Sequence, residues 1–184
     1  MSATLAPALS ARERWAALPE GTRAELIDNQ IIMSPSPTSF HQSIALTFAS
    51  ELRNFLKKRP GMGKAFIAPL DVEIAPDYIL QPDVLYLSAA KQKYVGAYIQ
   101  GTPDLVLEVL SPGNVHNDLV VKKNLYESHG VAEYWIVDPE TQTVEVLYLA
   151  ETGQYQIHQR AQSGRVESKL ISGFGVELEE LFFM

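Results

Sequence analysis

Residues 104–110 read Asp104-Leu105-Val106-Leu107-Glu108-Val109-Leu110. Apolar side chains stand at successive positions, so a strand built from this run has both faces covered. That is the pattern of a central strand, with packing above and below its sheet. After Asp104, which opens the run, the only charge inside it is Glu108. Carboxylates are rarely buried without a partner, because removing a lone charge from water is costly. The stretch therefore predicts a buried strand and demands a reason for the acid inside it.

The flanking sequence supplies a sheet and its covering helices. Upstream, Ala24 to Met33 reads AELIDNQIIM, two β-prone pieces joined by Asp28-Asn29. Asn tolerates left-handed backbone, so a tight hairpin is expected. A Ser/Pro loop follows, Ser34 to Pro37. Ser39 and Gln42 then have capping-box spacing. Ile44, Phe48, Leu52, Phe55 and Leu56 recur at helical spacing, up to the stop at Pro60-Gly61. Further strands are expected at Ala65–Ile74, Pro82–Leu87, Ala132–Val137 and Val144–Leu149, and a helix at about Asn117 to Ser128, closed by His129-Gly130. Tyr155–Gln159 and Val166–Leu170 read as an antiparallel pair. The order predicts an α/β (α+β) chain, with a mixed sheet flanked by helices and additional antiparallel strands.

A length of 184 residues favours one domain, residues 24–184, preceded by an arm or short helix over residues 1–23. Hydrophobic residues at 46% and charged residues at 20% suit a globular domain. There is no cysteine, which excludes disulfides, thiolate zinc sites and cysteine nucleophiles. No apolar run reaches the roughly 18 residues of a membrane span, and the N-terminal stretch lacks the basic start of a signal peptide. A cytoplasmic location without membrane association is the expectation. The net charge of −7 opposes tight nucleic-acid binding unless basic groups cluster. Two clusters exist, Lys57-Lys58-Arg59 with Lys64, and Lys91 with Lys93. Each also reads as an ordinary solvated helix end or loop.

Other acids share the situation of Glu108. Asp83 opens Val84-Leu85-Tyr86-Leu87, Glu25 precedes Leu26-Ile27, and Asp71 interrupts Leu70-Val72. Acids on neighbouring strand ends can converge on one point, and then a cation must offset their repulsion. Hard oxygen donors suit magnesium or manganese, which polarise a phosphate and activate water. Any one of these acids is equally explained by a nearby Lys or Arg, or by a turn it caps. Asp118, Lys122 and Tyr126 lie four apart and share one helical face. Lys122 there would reach a phosphate as a point charge, or simply pair with Asp118.

The segments ELID, SPSPTSFHQ, APLDVEI, QPDVLYLS, GTPDLVLEVLSP, KKNLYESHGVAEYWIVDP and TVEVLYL follow one another in that order. From about Glu25 to Leu149 the chain resembles a bacterial putative restriction endonuclease family, long a domain of unknown function, within the PD-(D/E)XK nuclease superfamily. The resemblance implies a restriction-endonuclease-like core. It implies that Asp83 and Glu108 ligate magnesium (or manganese), with the backbone carbonyl of Val109 as a further ligand. Glu25 would join the metal shell or orient its water. The superfamily's lysine normally stands two residues after the second acid, where this chain has Leu110. The family moves it to the next helix, at Lys122, with Lys123 adjacent and still open. His41 matches a histidine after the Ser/Pro loop, which would touch the phosphate, order Glu25 or hold the helix start. Asp71 and Tyr126 would support the site, whereas His116, His129 and His158 show no ligand spacing.

The resulting expectation is a magnesium-dependent endonuclease acting on DNA, with Glu25, Asp83, Glu108 and Lys122 as its catalytic set. A homodimer would let two sites address two strands. Two rival readings keep the same fold: a non-catalytic binding or assembly module, and a metal-dependent hydrolase of a smaller phosphate substrate.

Overall fold

Ser10 opens the first helix with a reciprocal cap. Its hydroxyl accepts the Glu13 N–H, and the Glu13 carboxylate accepts the Ser10 N–H at 2.7 Å. This starts α1 (Ala11–Ala16), in a computed structural model that describes residues 8–112 and 117–184. Ala11 and Trp15 on α1 pack against a hairpin of β1 (Ala24–Ile27) and β2 (Gln30–Met33). The Trp15 indole N–H donates to the Ala24 carbonyl at 2.8 Å. Asp28 and Asn29 both have positive φ, 49° and 60°, as a two-residue hairpin turn requires.

Helix α2 (Ser39–Lys57) buries Ile44, Phe48, Leu52 and Leu56. Its cap is Thr38 rather than Ser39. Thr38 has extended backbone, and its hydroxyl accepts the His41 N–H at 3.2 Å, so the helix begins at Ser39. The run Ala65–Ile74 is not one strand. It divides into β3 (Gly63–Ile67) and β4 (Val72–Ala75), which lie in different sheets. Pro69, between them, has no N–H to carry a ladder onward.

The chain continues through β5 (Tyr78–Leu80), β6 (Val84–Ser88), a short 3₁₀ turn (Ala89–Tyr94), β7 (Ile99–Gln100) and β8 (Leu105–Val109). The expected single helix from Asn117 is a π-helical segment, Asn117–Lys122, leading into α3 (Lys123–Ser128). Gly130, with φ 77°, lets the chain turn away after α3. Then follow β9 (Glu133–Asp138), β10 (Thr143–Leu149), β11 (Tyr155–Ala161), β12 (Arg165–Glu167), β13 (Gly175–Glu177) and α4 (Leu178–Leu181). The tail strands do not pair with each other. β11 joins β10, and β12 joins β13.

The main sheet has the order β11-β10-β9-β8-β6-β3, mixed because β8 and β9 run parallel. A second sheet has the order β2-β1-β5-β4-β7. No helix among the described residues is long and apolar enough to cross a membrane. Alternation along β8 sends Leu105, Leu107 and Val109 to the core under α2, and Val106 to a second core shared with α3. Glu108 therefore points to the α3 side of the sheet. In the α2 core, Phe48 meets Trp135 and Phe174 edge-on, at ring separations of 5.0 and 5.5 Å.

Glu133, fully buried at the start of β9, is an acid with no catalytic setting. One oxygen accepts the Trp135 indole N–H at 2.7 Å and the Ser168 hydroxyl at 2.6 Å. The other accepts the Lys169 and Leu170 N–H groups at 2.7 and 2.8 Å. One side chain thus ties the segment before β13 to the main sheet. Glu133→Ala strands four donors and is expected to cost at least about 2–3 kcal/mol. At this chain length that corresponds to a Tm fall of roughly 5–10 °C. A thermal melt showing a fall below about 2 °C would refute this anchoring role.

Candidate active site

The ladder between β6 and β8 runs from Tyr86↔Leu105 to Val84↔Leu107. β8 continues beyond it, so the Val109 N–H faces past the start of β6. Pro82 offers no N–H there, and the Asp83 carboxylate accepts the Val109 N–H instead, at 2.8 Å. N–H and C=O of one strand residue leave along the same edge, so the Val109 carbonyl shares the Asp83 side. Asp83 Oδ2 also faces His41 Nε2 at 3.1 Å. His41 is thus placed on Asp83, from the first turn of α2.

Lys122 enters from the last residue of the π-helical segment. Its ammonium lies 3.0 Å from Glu108 Oε1 and 3.0 Å from Glu25 Oε1. Glu25, Asp83, Glu108 and Lys122 are only 3%, 6%, 3% and 7% exposed. At such burial each charge depends on its partners, because desolvation costs several kcal/mol per ion. Tyr126, one α-turn beyond Lys122, donates its hydroxyl to Glu108 at 2.7 Å. Lys122 and Tyr126 therefore share a face as expected. The side chain of Asp118 lies outside the described residues, as does His116. Lys123 is half-buried at the start of α3, and it is Lys122 that reaches the acids.

Gln81, which the sequence reading passed over, links two more of the expected acids. Its backbone N–H donates to Glu25 at 2.9 Å, and its side-chain amide donates to Asp71 at 2.7 Å. Asp71 thus orders Gln81, which in turn fixes Glu25. The signal was its place directly before Pro82-Asp83. Arg23 was passed over too, although a period of two puts it on the same strand face as Glu25.

Arg23, Glu25, His41, Gln81, Asp83, Glu108 and Lys122 line one cavity of about 360 Å³, whereas Asp71 and Tyr126 do not line it. Its remaining walls include the Ser34–Thr38 loop, Phe40, Ser111-Pro112 and Pro139-Glu140. The basic clusters lie elsewhere. Lys57 to Arg59 lie at the far end of α2, about 24 Å along the helix from His41, and Lys91 pairs with Asp104 at 2.9 Å. Among the described residues no three acidic or histidine side chains close into a metal cage. Lys122 stands between two of the acids. Asp83, Glu108 and the Val109 carbonyl remain as a hard-oxygen set on one edge. Magnesium characteristically takes one or two carboxylates and leaves its other positions to water and phosphate, so the residues fit such an ion.

Burial holds the Tyr126 phenol well above its ordinary range, and the charges of Glu108 and Glu25 push it further up. In the unfolded chain a tyrosine ionises near pH 10, about its ordinary value. Above that pH the unfolded state loses a proton that the folded state keeps, so stability falls as pH rises. Melts of wild type and Tyr126→Phe across the range from about pH 8 to 11 are expected to show a shallower alkaline decline in the variant. Equal slopes would contradict the buried phenol. Lys122→Met leaves Glu25 and Glu108 without their shared cation and is expected to cost about 3–5 kcal/mol. A melt of Lys122→Met that matched wild type would contradict the bridge.

Comparison with known proteins bears on the family and the fold. Residues 10–179 match the model of the Uma2 family, described as putative restriction endonuclease. No curated protein matches the chain. Among solved structures, the chain is similar to a putative nuclease belonging to DUF820 from Anabaena variabilis ATCC 29413, with a TM-score of 0.75 at 20% identity. That similarity covers 95% of this chain and 98% of the other, which shows a shared fold. With nearly its whole length matched by the family model, and acids and a lysine meeting at the strand ends, the chain belongs to the putative restriction endonuclease family.

Proposed function

We propose that this chain is a magnesium-dependent endonuclease that hydrolyses phosphodiester bonds in DNA. The observation that carries the reading is the convergence of Glu25, Glu108 and Asp83 on one cavity wall, with the Lys122 ammonium 3.0 Å from each of the first two. Family membership supports nuclease chemistry; the metal and the substrate are our assignment.

Asp83, Glu108 and the Val109 carbonyl would hold the ion. Bound there, magnesium supplies Lewis-acid polarisation of a phosphoryl oxygen. The protein's own groups do the rest. Lys122 sets an ammonium charge in a largely buried wall, where it favours the negative charge that grows on the phosphoryl oxygens. Tyr126 keeps its proton and so remains a donor that fixes the rotamer of Glu108. The Val109 N–H and His41 hold Asp83 from two directions. Gln81 fixes Glu25 beside Lys122, where it orients the attacking water. Water adds to phosphorus, one P–O ester bond breaks, and a phosphomonoester and an alcohol leave. The proton released by water ends on the departing alkoxide.

The test is cleavage of supercoiled plasmid by the purified chain with magnesium, and separately with manganese. Asp83→Asn and Glu108→Gln are expected to lower the rate by roughly 10²–10³-fold or more, the scale of losing a preorganised charged group. Both variants are nearly isosteric, so a melt verifies that they fold. Undiminished cleavage by folded Glu108→Gln would sink the assignment.

A further inference from the structure

Arg23 differs from the other arginines that the fold brings into contact. Arg12 pairs with Glu73 at 2.7 Å, Arg165 pairs with Glu177 at 3.0 Å, and Arg59 lies over the Phe55 ring at 3.8 Å. Arg23 is fixed at its backbone, where its carbonyl accepts the Ser34 N–H at 2.9 Å and extends the hairpin. Its side chain lines the same cavity as Glu25, Asp83, Glu108 and Lys122. There its Nε is buried and has no hydrogen-bond partner, and among the described residues the guanidinium forms no ion pair. A guanidinium cannot shed its proton to escape that situation. The side chain as a whole is half-buried, but its buried Nε donor is left unsatisfied, which is unfavourable, and a ligand in the cavity beside the acids would bring the missing acceptor.

We infer that Arg23 is a substrate-binding residue whose guanidinium takes a phosphate oxygen of the nucleic-acid strand lying in the cavity. The inference rests on the nuclease reading above and adds to it a group that binds the substrate. Phosphate is the matching anion because a guanidinium offers a planar fork of N–H groups to two of its oxygens. Arg23 is half-buried among the residues that line the cavity. Lys122 is held between Glu25 and Glu108; Arg23 brings positive charge to the cavity without a carboxylate attached to it.

The test measures binding rather than turnover. Fluorescence anisotropy of a labelled mixed-sequence oligonucleotide, single-stranded and as a duplex, is followed with calcium in place of magnesium. Calcium supplies the charge without magnesium's tight octahedral geometry. Affinity is read across roughly 50–200 mM salt, and each lost phosphate contact reduces the log–log salt slope by about 0.7 for a single strand or 0.9 for a duplex. Arg23→Gln is expected to show that reduction on whichever form binds, with a Tm equal to or above that of wild type, because an unsatisfied buried donor has been removed. Arg23→Lys restores the charge and is expected to restore the slope. If wild type binds and Arg23→Gln keeps its slope, the inference falls while the nuclease reading stands. A lowered Tm with an unchanged slope assigns Arg23 a structural role and overturns the inference as well. If wild type binds neither oligonucleotide at low salt, the nucleic-acid reading fails and this inference with it.

Discussion

The ammonium of Lys122, held 3.0 Å from both Glu25 and Glu108, is the contact on which the site and the packing of the two sheets jointly depend. Glu25 belongs to the five-stranded sheet and Glu108 to the six-stranded one. Without a cation between them, the two strands would bring like charges together in a region of low dielectric. A well-packed apolar substitute for such a buried cluster is often the more stable solution. Keeping the charges is a cost that the cores on either side must cover, and a chemical use for the site gives a reason to bear it. The same cation that lets the sheets pack also presets the electrostatics of the cavity wall.

Glu133 shows what a purely structural buried acid looks like in this fold. Its two oxygens are satisfied by an indole N–H, a hydroxyl and two backbone N–H groups, all neutral donors fixed by the chain. Glu25 and Glu108 instead share a flexible ammonium, and Asp83 divides one oxygen between a backbone N–H and a histidine. Neutral backbone donors cannot be exchanged without displacing the segment that carries them. A lysine side chain or an imidazole can shift when a metal or a phosphate arrives. Burial alone therefore does not mark a reactive carboxylate; the nature of its partners does.

Much of the architecture was legible because it rests on local patterning. The apolar run around Glu108, the Asp28-Asn29 turn and the apolar stripe of α2 each dictate their element within a few residues. The acids at strand ends and Lys122 were legible as a set through their setting and through the order of their motifs. What escaped depends on long-range pairing or on a single turn of backbone. The division of Ala65–Ile74 between two sheets follows from which neighbours the strands find. The same holds for β12, which joins β13 instead of β11. Thr38 displaced Ser39 as the cap because backbone geometry, invisible in the residue types, decided which hydroxyl met the His41 N–H. Glu133 lay unnoticed in Glu133-Tyr134-Trp135, since three of its four donors come from a segment more than thirty residues away.

The distribution of charge bears on how a DNA substrate would be engaged. The chain carries a net charge of −7, and its exposed run Lys57-Lys58-Arg59 lies at the end of α2 remote from the cavity. The long-range field therefore opposes the approach of a polyanion instead of steering it in. On the proposed reading, attraction would arise at short range, from a divalent ion held by the acids and from the few cations in the cavity wall. Added salt screens the overall repulsion within about 8–10 Å near physiological strength, yet it also weakens every direct phosphate contact through counterion competition. These two effects have opposite signs. Net salt dependence should accordingly be shallower than for a basic nuclease making the same number of phosphate contacts. Selectivity would then come from which phosphates can enter the cavity, rather than from how strongly the whole surface attracts nucleic acid.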